Sequence, residues 1–103
     1  IKAAPGDTIK FIPTDKGHNV ESIKGMIPDG VKKFRSKFNK EYILEPKVDG
    51  LYGIKCTPHY GLGMVALIAV GEPVNEESAL AVRQRGKAKK RFADIIKEYQ
   101  ASK

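Results

Sequence analysis

Cys56, His59 and Met64 fall in one short stretch, Cys56-Thr57-Pro58-His59-Tyr60-Gly61-Leu62-Gly63-Met64. A thiolate, an imidazole and a thioether are soft or borderline donors. Together they suit copper or zinc, and the thioether favours copper. A fourth donor must come from elsewhere. The chain has two histidines, and the second is His18, far upstream in Lys16-Gly17-His18-Asn19-Val20. Two His, one Cys and a weak axial Met form the ligand set of an electron-transfer copper centre. Such a set leaves no open position for a substrate, so it implies electron transfer rather than catalysis at the metal. Each residue also has a plainer reading. Cys56 could be a buried core thiol, either His an ordinary loop residue, and Met64 a gap-filler at a strand start. Met26 is expected in core or loop packing.

The elements around these residues must hold them. Pro5-Gly6-Asp7 signals a turn, and Thr8–Ile12 then alternates as a half-buried strand, with Ile9 and Phe11 on one face. Asp15-Lys16-Gly17 reads as a loop that delivers His18 to an extended piece, 19–23. Residues 24–40 read mostly as loop, with a possible helical turn at 31–36. Residues 41–44 read as a strand stopped by Pro46. After the turn Val48-Asp49-Gly50, alternation in 51–56 puts Tyr52, Ile54 and Cys56 on one face and Lys55 on the other. Cys56 therefore ends a strand pointing as the core residues point. The run Met64–Val70 does not alternate, which predicts a strand covered on both faces. So Cys56 ends one strand, Met64 begins the next, and His59 lies in the loop between them.

A candidate for the second cover is the tail. Asn75 followed by Glu76 and Glu77 predicts a helix start, with that helix ending near Arg85 before Gly86. A second helix is predicted over 87–101, with Ala88, Phe92, Ile95, Ile96 and Tyr99 at helical spacing. Short strands followed by two helices predict a mainly β fold, a β-sandwich with a helical appendix.

The totals bound the rest. The chain has 103 residues, 41% of them hydrophobic, which suits one domain with a modest core. No apolar run is long enough for a membrane-spanning helix. No charged leader opens the chain, so any export signal is expected to be already absent. One Cys excludes an intramolecular disulfide. The net charge of +7 favours acidic partners. The densest basic run, Lys87-Ala88-Lys89-Lys90-Arg91, reads as a solvated helix face. It lacks the aromatic platforms that single-stranded nucleic acid would want, because helical spacing turns Phe92 inward.

Many stretches resemble the pseudoazurins, type 1 blue copper proteins of the cupredoxin family. They are Pro5-Gly6-Asp7-Thr8, Phe11-Ile12-Pro13, residues 15–23 around Lys16-Gly17-His18-Asn19, Met26-Ile27-Pro28, Lys55-Cys56-Thr57-Pro58-His59-Tyr60, Gly63-Met64 and residues 66–71. The resemblance implies a single cupredoxin domain over 1–103, a cupredoxin-like Greek-key β-sandwich with residues 75–101 as its helical appendix. It implies one type 1 copper held by His18, Cys56, His59 and Met64. Asn19 and Met64 would each give a backbone N–H to the Cys56 sulfur, and Pro58, lacking an N–H, leaves one donor fewer there. Pro13, Pro58 and Leu62 would form an apolar patch around a partly exposed His59. Lys16 and Lys55, which match family positions, would ring it and steer acidic partners, with Arg35 and Lys37 as additions to that ring. The implied role is a periplasmic, monomeric electron carrier for denitrification, exchanging electrons with copper nitrite reductase or c-type cytochromes. The family also carries an N-terminal stretch that supplies an edge strand and part of the first sheet. No matching residues stand before Ile1: either this is part of a longer chain or the domain is cut, and a true absence would leave an apolar sheet face and edge uncovered. Two other roles stay open: a zinc or copper domain that shuttles no electrons, and the electron-transfer piece of a larger reductase.

Overall fold

A computed structural model of the chain describes residues 2–4, 6–12, 17–57, 60, 64–72 and 74–101. Its centre is an antiparallel pair, β5 (Gly50–Lys55) and β6 (Val65–Val70), in register from Gly50 opposite Val70 to Lys55 opposite Val65. β1 (Lys2–Ala3) runs parallel to β6 at one edge, and β3 (Glu21–Ser22) runs antiparallel to β5 at the other. A second sheet pairs β2 (Ile9–Phe11) with β4 (Tyr42–Leu44). As it runs from β2 to β5 the chain crosses between the sheets three times, from the small one to the large, back, and to the large again. Such crossings are how a sandwich connects its layers.

β5 and β6 are covered on both sides, as the unbroken apolar run of β6 predicts. Between the sheets lie Leu44, Tyr52, Ile54, Ile68 and Val70, with Ile9, Phe11 and Tyr42 packed on them. On the opposite face lie Ile23, Met26, Leu51, Leu67, Ala79 and Phe92. Burial raises the phenol pKa values of Tyr42 and Tyr52. Gly53 is needed on the second face. A Cβ there would stand 2.7 Å from Met26 Cβ and Sδ, while the two backbones are joined by a 2.7 Å bond from the Gly53 N–H to the Met26 carbonyl.

The cover on that second face comes from the tail. α2 (Gly86–Ala101) buries Ala88 and Phe92 and packs Ile95, Ile96 and Tyr99 on the same cluster. Lys87, Lys89, Lys90 and Arg91 are exposed. α1 (Glu76–Leu80) is shorter than its sequence predicts. Asn75 sits at its N-cap position, but its side chain makes no cap bond. Its amide instead accepts from Leu51 N–H at 2.6 Å and donates to Leu51 O at 3.0 Å, as a neighbouring strand would.

Residues 31–36 form no helical turn. Segment 34–39 is instead tied alongside β3 and the residues before it. Ser22 N–H donates to Phe34 O, Ser36 N–H to Val20 O, and Asn39 N–H to His18 O. A β-bridge pairs Glu21 with Arg35.

Candidate metal centre

Cys56 follows the last residue of β5 and keeps the facing of Tyr52 and Ile54. It is 4% exposed. Its N–H donates to Met64 O at 3.0 Å, so the loop from Cys56 to Met64 is closed at its base by one more rung between β5 and β6. His18 arrives from the other edge of the sheet. Its Nδ1 lies 3.6 Å from Cys56 Sγ. A sulfur and a nitrogen bound to one ion at ordinary bond lengths and near-tetrahedral angles stand about 3.6 Å apart. The pair is thus spaced to share a metal through Nδ1.

A cavity of about 410 Å³ is lined by His18, Cys56 and Met64. Phe11, Val20 and Ile54 line it too, and all three belong to the inter-sheet cluster. Met64 is 44% exposed. Among the described residues no three His, Cys, Asp or Glu side chains converge. The expected third strong donor, His59, lies outside them, as do Pro13, Lys16, Pro58 and Leu62. The donors that are described fit copper. A buried soft sulfur and an imidazole nitrogen are spaced for one ion, and a thioether lines the same cavity.

Hydrogen bonds hold the two approaching chain segments. Asn19 is 7% exposed. Its carbonyl accepts from Thr57 N–H at 2.7 Å, and its amide donates to Thr57 Oγ1 at 2.8 Å. The Thr57 hydroxyl then donates to Glu21 at 2.7 Å. These bonds staple the residue after His18 to the residue after Cys56. Behind His18, Asn39 Oδ1 accepts from Gly17 N–H at 2.5 Å and Ser36 Oγ from Val20 N–H at 2.7 Å. The same pairing brings exposed Arg35 and Lys37 beside the His18 segment.

Lys55 has intramolecular partners. Its ammonium lies 3.8 Å from Glu21 Oε1 and 5.1 Å from the centre of the Tyr60 ring. The sequence reading did not single out Thr57, Ser36, Asn39, Tyr60 or Gln84 as supports of the site. The only local signal was the run of hydrogen-bonding residues flanking the donors.

Residues 1–71 match the family described as copper binding proteins, plastocyanin/azurin family. The chain is 51% identical over 93 residues to the pseudoazurin of Paracoccus pantotrophus. That match covers 89% of this chain but 64% of the relative, so the chain spans under two thirds of that protein's length. The crystal structure of the pseudoazurin from Methylobacterium extorquens AM1 superposes with a TM-score of 0.92 at 44% identity, covering 96% of this chain and 81% of that one. Native pseudoazurin from Hyphomicrobium denitrificans gives 0.89 at 45% identity, covering 95% and 79%. The mainly β cupredoxin sandwich with two helices is the fold of these structures.

Proposed function

The chain belongs to the pseudoazurins, within the copper-binding plastocyanin/azurin family, and from that premise we propose that it is a small blue-copper electron carrier and not an enzyme. Its cofactor is one type 1 copper, which when bound supplies one-electron chemistry between Cu(I) and Cu(II). The proposed ligands are His18, Cys56, His59 and Met64. The observation that carries the reading is the 3.6 Å approach of His18 Nδ1 to Cys56 Sγ, made by residues 38 positions apart in the chain.

The chain's own part is to keep the donors still. Cys56 is fixed by the rung to Met64, His18 by Asn39, and the two segments to each other by Asn19 and Thr57. Donors held in this way need little rearrangement when the charge at the site changes by one. Asn19 and Met64 are the proposed backbone donors to the sulfur, and Pro58 withholds one. Residues 75–101 are a helical appendix of the same single domain.

Partner contact is proposed at the surface beside the donors. Ile12 is 64% exposed and lines the same cavity as Met64, so apolar surface is available there. Pro13 and Leu62 would extend it, with Lys16, Arg35, Lys37 and Lys55 as its basic surroundings. An acidic redox protein, copper nitrite reductase or a c-type cytochrome, is the proposed partner. It is met in the periplasm during denitrification by a monomer.

The test is the visible spectrum of Cu(II)-loaded protein before and after ascorbate. An intense thiolate-to-copper band that bleaches on reduction is expected, and Cys56→Ala should abolish it with the sheet signal in circular dichroism unchanged. Bound copper with no such band would overturn the carrier reading and favour a metal domain that shuttles no electrons.

A further inference from the structure

Gln84 lies between α1 and α2, far in sequence from every proposed ligand. Its side chain is fully engaged. Oε1 accepts from the Tyr60 hydroxyl at 2.5 Å. Nε2 donates to Met26 Sδ at 3.1 Å and to Val82 O at 3.4 Å. The Tyr60 oxygen also accepts from Arg85 N–H at 3.3 Å. Met26, 1% exposed, packs against Gly53 of β5, the strand that ends beside Cys56. One amide thus links the donor-bearing loop, a buried strut and the strand that presents the thiol.

The loop it reaches has anchors on both sides of His59. Thr57 is tied to Asn19, and Tyr60 is tied to Gln84 and Arg85. His59 stands between these two anchored residues in the chain. In the chain only Pro58 and His59 separate the two anchored residues. The hydroxyl is separable from the packing. The Tyr60 ring lies against the helix-side cluster and under Lys55, and a phenylalanine ring would fill the same space.

We propose that Gln84 is a positioning residue for the metal-binding loop, acting through the Tyr60 hydroxyl. The helical tail therefore does more than cover the sheet: its first connection is bonded to Tyr60, the residue after His59. This rests on the copper-carrier reading in taking His59 as a donor.

The test has two readouts. In metal-free protein, Tyr60→Phe and Gln84→Leu should each raise amide hydrogen exchange of residues 57 and 59–64 by about 2- to 10-fold, the effect of one net hydrogen bond. Amides of β5 and α2 should be unchanged. In Cu(I)-loaded protein, transfer of copper to a chelator should accelerate by a similar factor. The double variant should be no faster than either single one, and Gln84→Glu, which keeps the acceptor for the phenol, should stay near the wild-type rate. Loop exchange that does not change, or that rises equally across the molecule, would overturn the proposal. So would raised loop exchange with unchanged copper release, or additive effects in the double variant. Failure of the carrier reading would show separately, as wild-type protein with no blue band.

Discussion

Asn19 shows what the side chains around the donors contribute. Both polar atoms of its amide are used on one residue, Thr57, whose hydroxyl passes the chain of bonds on to Glu21. Asn19→Ala removes an acceptor from the Thr57 amide and a donor from its hydroxyl in a partly buried place. The expected loss is about 2 kcal/mol, read from the urea midpoint of metal-free protein. Asn19→Asp keeps the acceptor but loses the donor and adds a carboxylate near Glu21, so it should recover little of that loss. A change below about 0.5 kcal/mol for Asn19→Ala, well under one hydrogen bond, would mean that the two segments are held by other contacts. The proposed donors stand out in the sequence because their types are scarce: one Cys and two His in the chain. Their supports were not. Thr57, Ser36 and Gln84 are common polar residues, and what makes them matter is a partner 16 to 38 positions away that only the folded chain brings near.

At the scale of elements, periodicity predicted well where burial alone decides. The unbroken run of β6 requires two covers, and the inter-sheet cluster and α2 supply them. The inward stripe from Ala88 to Tyr99 is the face that α2 turns to the sheet. It failed where a side chain had a better offer. Asn75 reads as an N-cap, yet its amide pairs with both backbone groups of Leu51. α1 stops at Leu80 rather than near Arg85; Ala81 and Val82 still bond back to it, whereas Gln84 and Arg85 bond to Tyr60. Asn75→Asp separates the two roles. Asp caps a helix about as well as Asn, so a capping role predicts no loss. It cannot donate to Leu51 O, so the strand-like role predicts a loss of about 1 to 3 kcal/mol, close to that of Asn75→Ala. Equilibrium unfolding of the two variants beside wild type decides the matter. The expected result is that both fall together.

For the whole molecule the relevant quantity is charge, and how much of it acts at the site. The net charge of +7 should draw anionic reagents and repel cationic ones from any direction. The proposed function needs more than that: positive charge near the donors must count for most. Lys40 lines the cavity with His18, Cys56 and Met64, whereas Lys90 is exposed on α2, across the sheet from the inter-sheet face. Raising ionic strength from about 0.01 M to about 0.15 M shortens the screening length from about 30 Å to about 8 Å. Electron exchange of the copper-loaded protein with a small anionic complex should therefore slow over that range, and exchange with a cationic complex should speed up. Lys40→Glu and Lys90→Glu change the net charge equally. If encounter occurs beside the cavity, Lys40→Glu should slow the anionic reagent more and flatten its salt dependence, while Lys90→Glu should leave the slope near that of wild type. Equal effects would mean that the molecule attracts partners by its total charge alone, and the docking surface proposed around Ile12 and Met64 would lose its electrostatic support.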